Sequence, residues 1–439
     1  MREHLKSRFG FLMLAAGCAV GLGNVWRFPY IVGENGGAMF VLVYIVFLVL
    51  LGYPLLLAEL AIGRAAQSGI ASALPTLSSG ENEVKKHRTF WRIIGGAIFA
   101  GNFLLMIYYT DIAGWLLKFA VDYFRGGGVA ALGDCSVAFN ALMANKALCA
   151  FNMLFVVLLA GLVCMAGVVK GVERVTKILM VSLLAILVLL AAKALMLPGA
   201  KEGLKFYLYP DATKFMSHPL RNTMLAMGQA FFTLSVGVGC MTIFGSYVER
   251  SKNLAIDTAV IIVIDTAVAI ISGLVIFPIC YTCNIAPSEG QGLIFVALPE
   301  VFRNLNFGRL WGFLFFSFLA FAAFTTVVAV FECIIGGLKD ILKLERKIIA
   351  PIVTTAVAIA SLPCILYDGV LAKEDFAMSN IWLPTGALAI CLFSTWRFGW
   401  GAEKFRMEVS ARAPKWFFAY MKYVIPLLII TILVGGLSQ

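Results

Sequence analysis

Charge and histidine are scarce in this sequence. Asp, Glu, Lys and Arg make up only 13% of its 439 residues, and the three histidines, His4, His87 and His218, are scattered without metal-ligand spacing. That leaves too little polar surface for a cytosolic enzyme, a nucleic-acid binder or a disordered scaffold. Paired CxxC motifs are missing too. The ten cysteines lie largely inside apolar runs, and the one close pair, Cys280 and Cys283, has no second pair beside it. They read as small buried hydrophobes rather than metal ligands. Cys135 and Cys149 flank one outer loop, where a disulfide would fit. No His–carboxylate or Cys–His constellation marks an enzyme, and nothing calls for an organic cofactor.

Apolar residues fill the space left: 61% of the chain, with a mean hydropathy of +0.92. Soluble domains average about 45–50%. The chain is an all-α polytopic membrane protein, its partner a lipid bilayer, because only internally satisfied helices cross lipid in runs of this kind. Eleven spans are predicted, near 9–34, 38–62, 93–120, 148–168, 175–196, 222–247, 255–281, 308–337, 348–366, 381–398 and 417–436. The net charge of +11 marks one face of the membrane, since most Lys and Arg fall on loops that share a side. That predicts a cytoplasmic N-terminus, an external C-terminus and a prokaryotic-looking plasma membrane. Basic residues before FGFLMLAAGC imitate a secretory leader, but the apolar run continues beyond Cys18 and cleavage is not expected.

Two spans are broken by glycine at matching places. Span one carries Gly17-Cys18-Ala19-Val20-Gly21-Leu22-Gly23-Asn24, and span six carries Thr233-Leu234-Ser235-Val236-Gly237-Val238-Gly239. Small residues serve close helix packing, but paired interruptions with polar neighbours point to a transporter site at mid-membrane. Carbonyls freed at one half-helix end suit a small cation, and amides at the start of the next suit a carboxylate. A zwitterion with a cation satisfies both ends. Asp265, deep in span seven, has no basic residue in its run, so it reads as a cation or proton site. Thr325-Thr326 in span eight either bond back to carbonyls one turn earlier or complete a cation site.

At this point the sequence resembles the neurotransmitter:sodium symporter family, particularly its bacterial eleven-helix amino-acid transporters. The matching segments are GxAVGLGNVWRFPY at 17–30, ENGGAMF at 34–40, IYY at 107–109, GQAFFTLSVGVG at 228–239 and AAFTT at 322–326. The resemblance implies two inverted five-helix repeats with helices 1 and 6 broken, plus an eleventh helix. The units would span 1–200 and 201–400, with 401–439 holding a cytoplasmic loop and the last helix. It implies Na⁺-coupled import of a neutral amino acid by alternating access.

Carried across by position, the resemblance implies a first sodium site at the Ala19 carbonyl, Asn24, Thr233 and Asp265. A second would use the Gly17, Val20 and Ala322 carbonyls with the Thr325 and Thr326 hydroxyls. The substrate carboxylate would meet the Leu22 and Gly23 amides and Tyr109; its ammonium would face the Ala19, Phe232 and Thr233 carbonyls and Ser235. The side-chain pocket would comprise Cys18, Gly21, Leu105, Phe232, Val238, Thr326 and Val330. No charge falls there, which predicts a neutral, mostly apolar occupant. Small Gly21 and Val238 predict room for a large side chain, aromatic or aliphatic.

The resemblance also implies an outer gate of Arg27, Gln229, Tyr109 and Phe232, and an inner gate of Arg2, Tyr247 and Asp340. Two positions depart from the family. Asn380 replaces the span-ten aspartate that pairs with the outer arginine in several relatives, and Val181 replaces the proline of a Gly-x9-Pro motif starting at Gly171. Asp265 stands where chloride-dependent relatives carry Asn, with Tyr44 and Gln229 matching other residues of that site. A fixed carboxylate there predicts chloride-independent transport, and its protonation on the return step would add H⁺ antiport. The rivals are a proton-coupled carrier of the same architecture and, further off, a channel.

Overall fold

The computed structural model describes residues 5, 7–78, 85–127, 135–283, 292–396, 398–410 and 413–437. Among these residues, nine continuous helices are long and apolar enough to cross a bilayer, and the bent pair Arg8–Ala19 and Gly23–Glu34 makes a tenth. The eleventh span is Pro219–Thr233 with Cys240–Gly245, interrupted over 234–239. Both interruptions fall on the predicted glycines.

Spans two to five are Ala38–Ala66, Lys85–Arg125, Lys146–Met165 and Val168–Ala194. Spans seven to eleven are Leu254–Thr282, Gly308–Leu342, Arg346–Leu366, Val370–Thr395 and Lys415–Leu437. Span three lies along span eight; span one packs against spans eight and seven, and span six against spans two and eight. The apolar outer faces of spans four, five and nine, such as Phe155, Leu162, Val188 and Ile359, stay exposed as lipid contact requires.

Two span boundaries and one cysteine pairing differ from the sequence reading. Span ten starts at Val370 rather than near 381, because its first turns carry Lys373, Glu374 and Asp375, which depress hydropathy without breaking a helix. Span five opens on a π-helical turn, Val168–Glu173, while Val181 sits in regular helix. No disulfide joins Cys135 to Cys149; the Cys149 thiol donates to the Leu142 carbonyl at 3.2 Å.

Candidate functional site

Span one unwinds just past Ala19. Val20 turns extended (ψ 94°) while its amide still reaches the Ala16 carbonyl at 2.7 Å. The next amides find side chains instead of a helix: Gly21 N–H donates to Asn24 Oδ1 at 3.2 Å and Leu22 N–H to the Tyr109 hydroxyl at 3.1 Å. The chain then recovers through a π-helical turn, Gly23–Arg27, and the two halves meet at 54°. A Cβ on Gly21 would lie 2.6 Å from the Tyr109 hydroxyl and 2.8 Å from Thr326 Oγ1, so a side chain there would collide with both.

The span-six break is wider. Ser235 (φ +51°), Gly237 (φ +104°) and Gly239 (φ +74°) all take left-handed conformations. Gly237 also packs against span ten, where a Cβ would come 2.1 Å from the Leu383 carbonyl. Two residues absent from the sequence reading satisfy this break. Glu59 of span two accepts the Gly237 amide at 2.6 Å, and Asn102 of span three donates to the Val238 carbonyl at 2.8 Å. Glu59 was detectable: like Asp265, it is a lone acid in an apolar run. Asn102 carried no such signal.

Between the breaks, polar groups converge on Asp265. Asn24 Nδ2 donates to its Oδ1 at 2.8 Å and to its carbonyl at 3.0 Å, while Thr233 Oγ1 donates to Oδ2 at 3.1 Å. Its described polar contacts are neutral, and Asp265 is fully buried. Tyr44 lies beside Asp265 and Thr233. Gln229 Nε2 donates to the Gly23 carbonyl at 2.8 Å, beside Asn24 of this group. On the other side of span one, Thr326 Oγ1 lies 3.3 Å from the Gly17 carbonyl, 3.5 Å from that of Val20 and 3.3 Å from that of Ala322. Thr325 Oγ1 is 2.9 Å from the Ala322 carbonyl, the back-bonded geometry of a helical threonine.

Cys18, Ala19, Gly21, Leu22, Gly23, Leu105, Tyr109, Phe232, Ser235 and Thr326 line one small cavity of about 20 Å³, joined by Met378 and Leu383 of span ten. Ser235 Oγ donates to the Cys18 carbonyl at 3.4 Å. Val238 and Val330 are not among the lining residues; Val238 faces Gly101 of span three instead. The expectation that a small Val238 leaves room therefore fails, because the unwound segment turns that side chain away. Above lies an outer cavity of about 460 Å³, whose walls include Trp26, Arg27, Tyr108, Phe232 and Asp375.

Arg27 closes the boundary between the two, its guanidinium 4.3 Å from the Phe232 ring centre. Its Nη1 donates to Ser379 Oγ at 2.9 Å, and Ser379 continues to Asp375 at 3.5 Å. Asn380, the expected partner, instead donates to the Phe376 carbonyl and faces Gly436 of span eleven. The cause is a π-helical turn at Met378–Trp382, whose extra residue rotates the register and brings Ser379 to the arginine.

On the opposite side, Tyr247 donates to Glu332 Oε1 at 2.6 Å, and Arg346 clasps both oxygens of that buried carboxylate, one at 2.8 Å. Asp340 Oδ2 accepts the Gly69 amide at 2.7 Å. Arg2 lies outside the described residues. Tyr247 is thus joined to a buried pair, Glu332 and Arg346, that the sequence reading did not include. Glu332 was visible as another lone acid in an apolar run.

A helical bundle with two spans broken at mid-depth around hard oxygen donors defines a secondary transporter. The family model for the sodium:neurotransmitter symporter family matches residues 2–147 and 139–439. An uncharacterized sodium-dependent transporter of Bacillus subtilis, YhdH, is 33% identical over 98% of both chains. The sodium- and chloride-dependent GABA transporter 2 of Mus musculus is 25% identical over 91% of this chain and 74% of its own. The crystal structure of MhsT in complex with L-phenylalanine superposes with a TM-score of 0.88 at 34% identity, covering 99% of this chain and all of that one. The chain belongs to the sodium:neurotransmitter symporter family, and it is a sodium-dependent transporter.

Proposed function

We propose that the protein imports a neutral, mostly apolar L-amino acid together with Na⁺ by alternating access, without chloride. The observation that carries this reading is the set of oxygens around Thr326. Its separations of 3.3–3.5 Å from the Gly17, Val20 and Ala322 carbonyls suit neighbouring ligands of one hard cation. For oxygens about 2.4 Å from an ion in near-octahedral array, adjacent ones lie ~3.4 Å apart, the spacing of a hard-cation site. A second Na⁺ fits the Ala19 carbonyl, Asn24, Thr233 and Asp265. The substrate carboxylate fits the Leu22 and Gly23 amides with Tyr109, and the ammonium fits the Ala19, Phe232 and Thr233 carbonyls with Ser235.

The uncharged lining of the cavity supports a neutral cargo, and so does the L-phenylalanine bound to MhsT. About 20 Å³ is free in this conformation, so a large side chain must displace Phe232 and the unbranched Met378. Two inverted repeats, 1–200 and 201–400, then rock about this site with 401–439 appended. The N-terminus is cytoplasmic and the C-terminus external, in a prokaryotic plasma membrane.

Asp265 supplies the protein's own negative charge beside Tyr44 and Gln229 during the inward step, which makes chloride unnecessary; its protonation on the return step adds H⁺ antiport. The test is uptake into proteoliposomes across a panel of amino acids. Uptake is expected to vanish when choline replaces Na⁺ and to persist when gluconate replaces Cl⁻. Asp265→Ser is expected to create a Cl⁻ requirement. Uptake that survives without Na⁺ favours the proton-coupled rival, and glycine competing as well as leucine or tyrosine refutes the large-side-chain reading.

A further inference from the structure

Three thiols meet at the edge of the cavity, Cys18 on its wall and the other two beyond it. Cys240 opens the inner half of span six, Cys18 belongs to span one and Cys333 to span eight. The Cys240 side chain lies beside both other thiols. Cys333 Sγ also donates to the Cys240 carbonyl at 3.5 Å, and Cys240 Sγ donates to Asn102 Oδ1 at 2.8 Å. Asn102 is the same residue that holds the Val238 carbonyl of the unwound segment. All three cysteines are reduced and buried.

We propose that Cys240 and Cys333 form a thiol modification site for small disulfides, and that the bond it creates locks span six to span eight. Cys18 lines the substrate cavity, whereas Cys333 adjoins Glu332, the partner of Tyr247 in the expected inner gate. Cys333 therefore meets water from the inner side when that gate opens. In the closed structure an apolar burial keeps the thiols inert. Once hydrated, the Cys240 thiolate attacks one sulfur of the reagent RSSR and expels RS⁻. The Cys333 thiolate then displaces the second RS⁻ from the mixed disulfide. The two protons lost by the cysteines end on the two RSH, so the protein pair is oxidised and one RSSR is reduced. The new bond ties the inner half-helix of span six to a long helix beside it and disturbs the Cys240–Asn102 contact. That this stops transport rests on the alternating-access reading above; that the bond forms does not.

The probe is 4,4′-dithiodipyridine applied to the reconstituted protein, followed by non-reducing peptide mapping and uptake. A Cys240–Cys333 linkage is expected, with uptake falling at least tenfold and returning after dithiothreitol. Cys333→Ala is expected to keep its basal uptake and to yield only a mixed adduct at Cys240. Tyr247→Phe, which removes the hydroxyl donated to Glu332, is expected to speed the linkage at least threefold. Finding Cys240 bonded to Cys18, or inhibition undiminished in Cys240→Ala, overturns the proposal. A mapped linkage with uptake intact refutes the lock and leaves the modification site standing. Mapping reads the bond directly, so a mistaken choice of amino-acid substrate cannot disguise either result.

Discussion

Gly21 shows how one missing side chain holds a site open. Its Cα faces two hydroxyls, and a methyl group would have to push Tyr109 away from the Leu22 amide and Thr326 away from its three carbonyls. Neither oxygen sits at the far end of a freely rotating chain in this packed interior. Gly21→Ala is therefore expected to weaken amino-acid and Na⁺ binding together, by at least tenfold each in equilibrium binding. Overpacking of this type costs about 1–3 kcal/mol. The unfolding temperature should fall only modestly, which separates a damaged site from a damaged fold. Retained affinity for both ligands contradicts the placement of Gly21 at their junction. Asp265 teaches the complementary lesson: a residue that lipid should exclude was legible because its run offers no cation. Glu59 and Glu332 obeyed the same rule and were overlooked because neither stands near a glycine break in the sequence.

At the scale of elements, Glu332 and Arg346 couple the middle of span eight to the start of span nine. The carboxylate is fully buried and the guanidinium side chain is 10% exposed, so each strongly depends on the other. Removing one partner from such a pair costs about 3–5 kcal/mol, whereas removing both together costs far less. Arg346→Ala is expected to lower the unfolding temperature of the detergent-solubilised protein by several degrees. Adding Glu332→Gln to it should restore most of the loss. A double-variant loss equal to the sum of the losses in Arg346→Ala and Glu332→Gln alone would show that the pair carries no coupling. Hydropathy located these helices to within a few residues because lipid demands long apolar runs. It could not locate the π-helical turn at Met378–Trp382, since one extra residue per turn leaves composition unchanged. That turn selects Ser379 over Asn380 for Arg27, a choice no periodicity argument could have made.

For the molecule as a whole, the proposed function makes cation and amino acid parts of one binding event at the two breaks. In the proposed arrangement a substrate carboxylate oxygen completes the Na⁺ shell formed by Ala19, Asn24, Thr233 and Asp265, so each ligand raises the affinity for the other. Linkage makes that factor identical in both directions and places it typically at about 5–150-fold. The same groups hold Asp265 in the described structure: Asn24 at 2.8 Å and Thr233 at 3.1 Å, from the two broken spans. Span seven thus joins the two breaks through Asp265. Saturating Na⁺ is expected to lower the dissociation constant of the amino acid at least fivefold. Saturating amino acid should lower the half-saturating Na⁺ concentration by the same ratio, measured by scintillation proximity with labelled ligand and ²²Na⁺. The methyl ester of that amino acid keeps the ammonium and side chain but has no anionic oxygen to give the cation. Its coupling factor should therefore fall close to one, while an ester coupled as strongly as the free acid places the Na⁺ away from the carboxylate and separates the two sites.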